Sequence, residues 1–506
     1  MSAGVSHEGA ATGRRAFVSG LSWKLSAQLV TQVTRLAVAI LLARLMSPVE
    51  FGVAGLALVF APLAYVFTDL GAVLVQQREQ SEEDRSTAFW LSIAIGGVLT
   101  VVGVLLAAPI ARFYDEPQVQ SLFMVLSVTF VITAASTTHS ALLHRAMEFR
   151  RIETANMIAV LGASVVAVVV ALLGGGAWAI ILQLVANSVL YLGLLWRASH
   201  WRPSRRFSRG SVRSLWSFSA SNLGANLLHY FERNTDNLLI GRFLGPASLG
   251  VYSIAYNLML YPVTRFAAPI HQVMFPLLAR VQDDDERVVR IWLRVTRIVA
   301  VVVAPAMVGL VVVAPELVHV LLGDKWDAAV PVIQILAIAG LVYAVRIPST
   351  SVILAKGRAG TLFRFSLLSA IVLVTGFAIT VSWGVNAVAA SFTVSFLAMT
   401  PILVALAART VGGTLRAYAG NLVGVTVATA SMAAAVVPLR ILFVDAGLLP
   451  ILVLLATAAA GALVYVPLCL WLVPDVRSEL GRVRRAVRNR RERRQSVAGG
   501  EPAGDG

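Results

Sequence analysis

Residues 219–250 read SASNLGANLLHYFERNTDNLLIGRFLGPASLG. The run is apolar enough to enter a bilayer, yet it carries Asn222, Asn226, His229, Glu232, Arg233, Asp236 and Asn237. On a helix turning about 100° per residue, all but Glu232 fall within a stripe of roughly 100°, and Glu232 sits at its edge. Leu227, Leu228, Phe231, Leu238 and Leu239 occupy the opposite side. The chemistry on offer is that of charge. Arg233 stays protonated and presents forked donors, the carboxylates can take up a proton or help to hold Na⁺, and His229 can relay a proton. A charge facing lipid costs several kcal/mol, so this wet face must turn to protein or to a water-filled cavity. The rest of the chain is read as the wall of that cavity.

The chain has 506 residues, 58% hydrophobic and 13% charged. Soluble domains carry about a quarter charged residues, so this is an all-α integral membrane protein. Its apolar runs are continuous rather than alternating, which excludes a β-barrel. A spanning helix needs about 20 apolar residues. About fourteen such runs follow one another, from 21–43 to 447–473, with the second, seventh, eighth and ninth at 51–75, 215–240, 247–274 and 295–314. The first contains Lys24, Gln28, Gln32 and Arg35, a poor cleavable leader, and is read as a retained helix. The one cysteine, Cys469, lies in the last run; it allows no intramolecular disulfide and is read as packing.

Lys and Arg concentrate on the cytoplasmic side of membrane proteins. With the N-terminus inside, the great majority of the 42 Lys and Arg fall on that side, and both termini are cytosolic. The net charge of +16 is therefore mostly a topology signal, and no nucleic-acid partner is expected. The Arg-rich tail, LGRVRRAVRNRRERR, suits a helix lying on anionic lipid.

The chain also aligns with itself. LLARLMSPVEFG at 41–52 falls on LIGRFLGPASLG at 239–250, so Arg44 matches Arg242, Pro48 matches Pro246 and Gly52 matches Gly250. Extended backwards, Lys24, Gln28, Thr31 and Arg35 fall on Asn222, Asn226, His229 and Arg233. A displacement of six helices preserves orientation, so the repeats are parallel, as in transporters that rock two bundles about a central site. The expected organisation is an N-terminal lobe at 1–196, a basic cytoplasmic linker at 197–213, a C-terminal lobe at 214–410, two further helices at 411–474 and a cytoplasmic tail at 475–506. The two added helices are expected to be peripheral.

Several segments in order, among them SPVEFGVAGLALVFAPLAYVFTDLGAVLVQQ, LLHRAMEFRRI, NTDNLLIGRFLGPASLGVYSIAYNL and LLGDKWDAAVPVIQILAIAGL, resemble the oligosaccharide-flippase family. The match is to its polysaccharide-transporter branch, within the multidrug/oligosaccharidyl-lipid/polysaccharide exporter superfamily, and covers about residues 20 to 410. The resemblance implies two six-helix lobes, a V-shaped central cavity and alternating access. It also implies transfer of a polyprenyl-diphosphate-linked oligosaccharide from the inner to the outer leaflet of the cytoplasmic membrane, alongside a polysaccharide polymerase and glycosyltransferases.

A lipid diphosphate crossing a low-dielectric slab calls for cationic donors. Arg35 and Arg233, related by the repeat and each about midway along its run, are the leading candidates, unless each pairs internally, as Arg233 could with Glu232 or Asp236. Arg265 and Arg346 either line the cavity or snorkel to the interface, and Arg346 stands just before Pro348, a candidate kink. Asn226 and His229 share the polar face of Arg233. Asp69, Glu232 and Asp236 are the candidates for ion coupling, the alternative being a structural partner for arginine. Gly174–Gly176 is a tight turn and not a phosphate cradle, and Asp283–Glu286 lacks calcium-loop spacing. No cofactor or metal is expected. A cation-coupled multidrug exporter is the competing reading, and would favour carboxylates over arginines. A polymerase or ligase would need a large external loop, and the longest one expected, 315–328, is short.

Overall fold

The computed structural model describes residues 5–62, 81–205, 208, 230 and 233–473. The fold is all-α, and eleven helices among the described residues are long and apolar enough to cross a membrane. Of the remaining expected runs, the one at 215–240 lies largely outside the described residues, and the one at 51–75 is described only as far as residue 62. The one at 247–274 is built in three pieces: helix, π turn and helix.

The first elements are α1 (Val5–Leu45), α2 (Pro48–Leu58), α3 (Glu82–Tyr114), α4 (Gln118–Arg145), α5 (Phe149–Leu172) and α6 (Trp178–Ala198). Their starts are written locally. Ser47 accepts from the Glu50 N–H at 3.2 Å while the Glu50 carboxylate takes the Ser47 N–H at 2.7 Å, and Pro48 stands at the first helical position. Ser81 and Asp84 repeat this reciprocal cap at the start of α3. Next come α7 (233–243), α8 (Gly245–Pro262), a π turn (Val263–Ala267) and α9 (Ala268–Ala279). Then follow α10 (Asp285–Leu321), α11 (Ala329–Ala355), α12 (Ala359–Thr380), α13 (Val385–Thr410), α14 (Leu415–Asp445) and α15 (Pro450–Leu472). At 37 residues α10 is about 55 Å long, well beyond the ~30 Å hydrocarbon core. Pro305 and Pro315 lie inside it, so the external loop expected from 315 is helix as far as Leu321. Proline is tolerated there because neighbouring groups can re-satisfy the freed backbone carbonyls.

The chain forms two compact units. One comprises Met1–Ile254 with Leu321–Ala329 and Ala370–Ser391; the other comprises Ala255–Val320, Val330–Ser369 and Phe392–Gly506.

In the first unit, small residues let helices approach closely, the usual means of association where lipid supplies no hydrophobic drive. A Cβ on Gly96 would lie 2.7 Å from that of Ala134, and one on Gly103 would lie 2.3 Å from Ser127 Oγ, so α3 and α4 meet backbone to backbone. α1 is seated on α5 and α6 through Val38, Leu42, Met46, Ala167 and Ala179. The far end of α1 is capped by distant residues. Trp326 donates to the Ala43 carbonyl at 2.7 Å, Lys325 donates to that of Arg44 at 2.6 Å, and Arg44 Nε donates to that of Leu321 at 2.9 Å. Phe51 meets the Trp326 ring edge-on.

Beside that cap the repeated turn pairs with itself. A Cβ on Gly52 would stand 1.7 Å from the Pro246 carbonyl oxygen, and one on Gly250 would stand 2.1 Å from that of Pro48. Two glycines and two prolines matched by the internal repeat thus form a reciprocal crossing in which only hydrogen fits. Close by, Arg242 pairs with Asp115 and lies over Phe113, 5.7 Å from its ring centre.

In the second unit the two C-terminal helices are anchored firmly. Val425, Ala428, Met432, Val436, Tyr465 and Cys469 pack on Ala300 and Ala304 of α10 and on Val345 of α11. Tyr465 donates to the Val301 carbonyl and Tyr418 to that of Val345, each at 2.8 Å. Arg440 of α14 forks onto the buried Glu316 of α10, with both oxygens at 2.9 Å. Cys469 is buried in this seam, in keeping with a packing role.

Candidate functional site

The polar groups fall into separate clusters. In the first unit, Asp236 is buried at 3% exposure on α7. Its Oδ2 accepts from the Tyr252 hydroxyl of α8 at 2.8 Å, and its Oδ1 accepts from the Asn237 N–H at 2.8 Å. Tyr252 is itself fully buried. Earlier in the chain, Tyr230 donates to the Val59 carbonyl at 3.0 Å, and Asn234 donates to the Tyr230 carbonyl at 2.8 Å. Asp236 is therefore held as an acceptor in a dry, hydrogen-bonded niche. Arg233, three residues back on the same helix, is exposed. Arg35 is also exposed, on the face of α1 that carries Gln28 and Gln32, while Ala27, Thr31 and Val38 are buried. Two repeat-related cations thus stand clear of the packed interior. Asn226, His229, Glu232 and Asp69 lie outside the described residues.

In the second unit the two further arginines have aromatic neighbours. Arg265 lies in the π turn, half-buried, its guanidinium 5.2 Å from the Tyr261 ring centre. Single π turns inside helices recur at functional sites. Arg346 on α11 is buried at 8% exposure. Its guanidinium sits 4.5 Å over the Phe396 ring, with Phe365 at 5.7 Å and Tyr343 at 5.9 Å. Phe396 stacks on Phe392, which Tyr256 meets edge-on. The quadrupoles of these rings favour a cation within reach of their faces. Pro348 lies inside α11, two residues beyond Arg346. The sequence shows Phe392 and Phe396 one turn apart but gives no sign that their partner is Arg346.

Two further features lie apart from these clusters. An apolar groove of about 520 Å³ runs between α10 and the α14–α15 pair, past Pro305, Gly309, Met432, Gly461 and Tyr465. His139 is fully buried in a box of Phe89, Trp196 and Trp201, with neither ring nitrogen hydrogen-bonded among the described residues. No cluster of three metal-ligating side chains occurs among the described residues.

With this geometry in place, comparison with known proteins is decisive for lineage. The profile of a family described as polysaccharide biosynthesis protein matches residues 41–331, more than half of the chain. The chain belongs to that family. Among the relatives of this polysaccharide biosynthesis protein is the lipopolysaccharide biosynthesis protein WzxC of Escherichia coli, 30% identical over 70% of this chain and 73% of that one. Another is the teichuronic acid biosynthesis protein TuaB of Bacillus subtilis, 28% identical over 72% and 78%. In fold, the family member resembles the lipid II flippase MurJ in an inward closed conformation, with TM-score 0.74 and 12% identity over 90% of this chain and 99% of that one.

Proposed function

We propose that this chain is a flippase. It carries a polyprenyl-diphosphate-linked oligosaccharide from the cytoplasmic to the outer leaflet of the cytoplasmic membrane, for surface polysaccharide synthesis. It does so by alternating access between the two six-helix repeats, with both termini cytosolic, and it makes or breaks no covalent bond. The observation that carries the reading is the pair of exposed arginines matched by the internal repeat, Arg35 on the spanning helix α1 and Arg233 on α7, in a chain from a polysaccharide-biosynthesis family. An exposed guanidinium at membrane depth is costly unless an anion or water meets it. A diphosphate is the anion that this family's chemistry supplies, and forked donors suit its oxygens.

The roles then divide by place. Arg35 and Arg233, with Asn226 and His229 on the same polar face, receive the head group. In the second unit Arg265 and Arg346 are further candidates to meet the head group, each held at rest by aromatic rings that can hand the cation to an oxyanion. Asp236 takes up the coupling ion; while its charge is neutralised the neighbouring cation holds the anion more firmly, and release of the ion restores a negative charge that weakens that grip so that product leaves. Glu232 and Asp69 are the further coupling candidates. The polyprenyl tail stays in apolar surroundings throughout, and the groove between α10 and α14–α15 is such a surface. Glycosyltransferases and a polymerase work before and after it.

Purified chain in vesicles, given fluorescent polyprenyl-diphosphate oligosaccharide in one leaflet, should expose it on the other side chemically unaltered. A deletion strain should accumulate the completed lipid-linked oligosaccharide in the cytoplasmic leaflet and lack surface polysaccharide. Normal surface polysaccharide with new sensitivity to cationic drugs would replace the reading with a multidrug exporter. Lengthening or transfer of the glycan by pure protein would make it an enzyme.

A further inference from the structure

α5 and α6 form an antiparallel hairpin whose open end gathers positive charge. Arg150 and Arg151 stand in the first turn of α5, and Arg197 and His200 at the end of α6. Between them lies a groove of about 580 Å³, within the range of small-molecule sites.

Its polar rim is organised. The Arg150 guanidinium lies over Trp23 of α1, 5.1 Å from the ring centre. The Trp23 indole donates to Thr154 Oγ1 at 3.1 Å, so that hydroxyl, which lines the groove, accepts there and keeps its own proton to donate. Arg151 is a strut, paired with Glu148 at 2.8 Å and donating to the Ala198 carbonyl at 3.1 Å. Arg197 is exposed and makes no hydrogen bond or ion pair among the described residues. Glu148 and Glu153 stand nearby on the chain, but no acid lines the groove itself, and against three arginines the rim carries surplus positive charge.

The floor is different. Ala155, Ile158 and Leu194 line it, and Ile158 is itself exposed. Ile158 is eight residues beyond Arg150, or about 12 Å along the helix axis. The groove therefore passes from cationic donors to bare hydrocarbon over the depth at which a lipid passes from head group to acyl chain. A tryptophan at the same level is the usual marker of a membrane interface. A free anion would have no use for the floor, and a soluble peptide would have to enter the bilayer to reach it.

We propose that this groove binds one anionic glycerophospholipid, its phosphodiester on Arg150, Arg197 and the Thr154 hydroxyl, and one acyl chain along Ile158 and Leu194. The bound lipid ties the α5–α6 hairpin to α1 on the lipid-facing side of the first unit. The site does not depend on the transport reading.

The test is native mass spectrometry of the full chain, titrated with phosphatidylglycerol, phosphatidylcholine or inorganic phosphate. One phosphatidylglycerol should bind at least tenfold more tightly than phosphatidylcholine, and millimolar phosphate should not displace it. R150Q/R197Q should lower the phosphatidylglycerol affinity at least tenfold and leave that for phosphatidylcholine unchanged. If the double variant does not fold, R197Q alone serves, because that side chain holds nothing in place; it should lower the affinity severalfold. Equal affinity for the two lipids, or full retention of phosphatidylglycerol by the variants, overturns the proposal. Displacement by phosphate would make the groove a simple anion site. Tighter binding of polyprenyl diphosphate at the same stoichiometry, lost in the variants, would make it part of the substrate path and end the claim of a resident lipid.

Discussion

The crossing of Gly52 with Pro246, mirrored by Gly250 with Pro48, gives a prediction that can be worked from distances. Gly52→Ala would put a methyl carbon 1.7 Å from the Pro246 carbonyl oxygen and 2.4 Å from its carbon, where real Cβ contacts stay above 3.0 Å. The two backbones must therefore separate by more than about 1 Å. No rotamer can absorb the shift, because the obstacle is backbone and α2 is fixed by its proline and its reciprocal cap. Overpacking of this kind costs roughly 1–3 kcal/mol. At 1.4 kcal/mol per decade, that moves a two-state equilibrium about 5- to 150-fold away from the crossed arrangement. If the crossing closes one end of a transport cycle, the variant should rest with that end open. In a Cys469→Ser background, a cysteine at Val53, buried at 3% exposure, reports the change. Its labelling by a small polar maleimide should quicken at least fivefold in Gly52→Ala and in Gly250→Ala, and flipping should slow. Unchanged labelling with unchanged melting would refute the reasoning, because it would mean that the helices part at no cost. A large fall in melting temperature with labelling at every buried site would also refute it, by making the crossing a folding contact and not a gate.

Arg35→Ala and Arg233→Ala should each abolish flipping with little loss of folded protein, whereas the Lys variants should retain part of it, since charge survives but the fork does not; vesicle flipping beside a melting curve reads both. Asp236→Asn should keep the Tyr252 contact and the fold but remove any dependence of transport on the ion gradient, whereas Tyr252→Phe should weaken that dependence only partly; flipping with and without an imposed gradient distinguishes them. Arg440→Ala leaves Glu316 charged and buried and should cost about 3–5 kcal/mol, and adding Glu316→Gln should restore most of the lost stability in detergent melts. A cysteine at residue 205 should resist impermeant reagent in intact cells, and one at Asn386 should react, if the termini are cytosolic.

The spanning helices were legible because a bilayer demands about 20 apolar residues in a row, a pattern that needs no tertiary information. The sequence also shows the repeat, since Arg44, Pro48 and Gly52 recur as Arg242, Pro246 and Gly250. What it does not show is that these turns meet each other, because contact between segments far apart in the chain leaves no local trace. Proline misled at 315, where a reading by local propensity ends the helix but tertiary packing carries it to Leu321. The π turn at Val263–Ala267 breaks a span that hydropathy reads as one, because its cause is backbone register and not composition. The same division holds for the site. Asp236 was visible as a charge out of place, but its Tyr252 partner was not. Arg346 was visible as a cation near a proline, but the Phe396 face beneath it comes from another helix.

The cap on α1 carries a consequence in time. The carbonyls of Ala43 and Arg44 find their donors on Lys325 and Trp326, and the Arg44 side chain finds its acceptor on Leu321, 277 residues later. At about 5–20 residues per second, a ribosome needs about 15–55 s to deliver them. Throughout that interval the end of the first helix stands in the membrane with its last carbonyls uncapped by protein. The first unit is thus begun at the start of synthesis and cannot be closed until α10, which belongs mostly to the second, has crossed the bilayer. Assembly order is written into the hydrogen bonds: any truncation before Trp326 should yield an inserted first half with a frayed end, a substrate for membrane quality control.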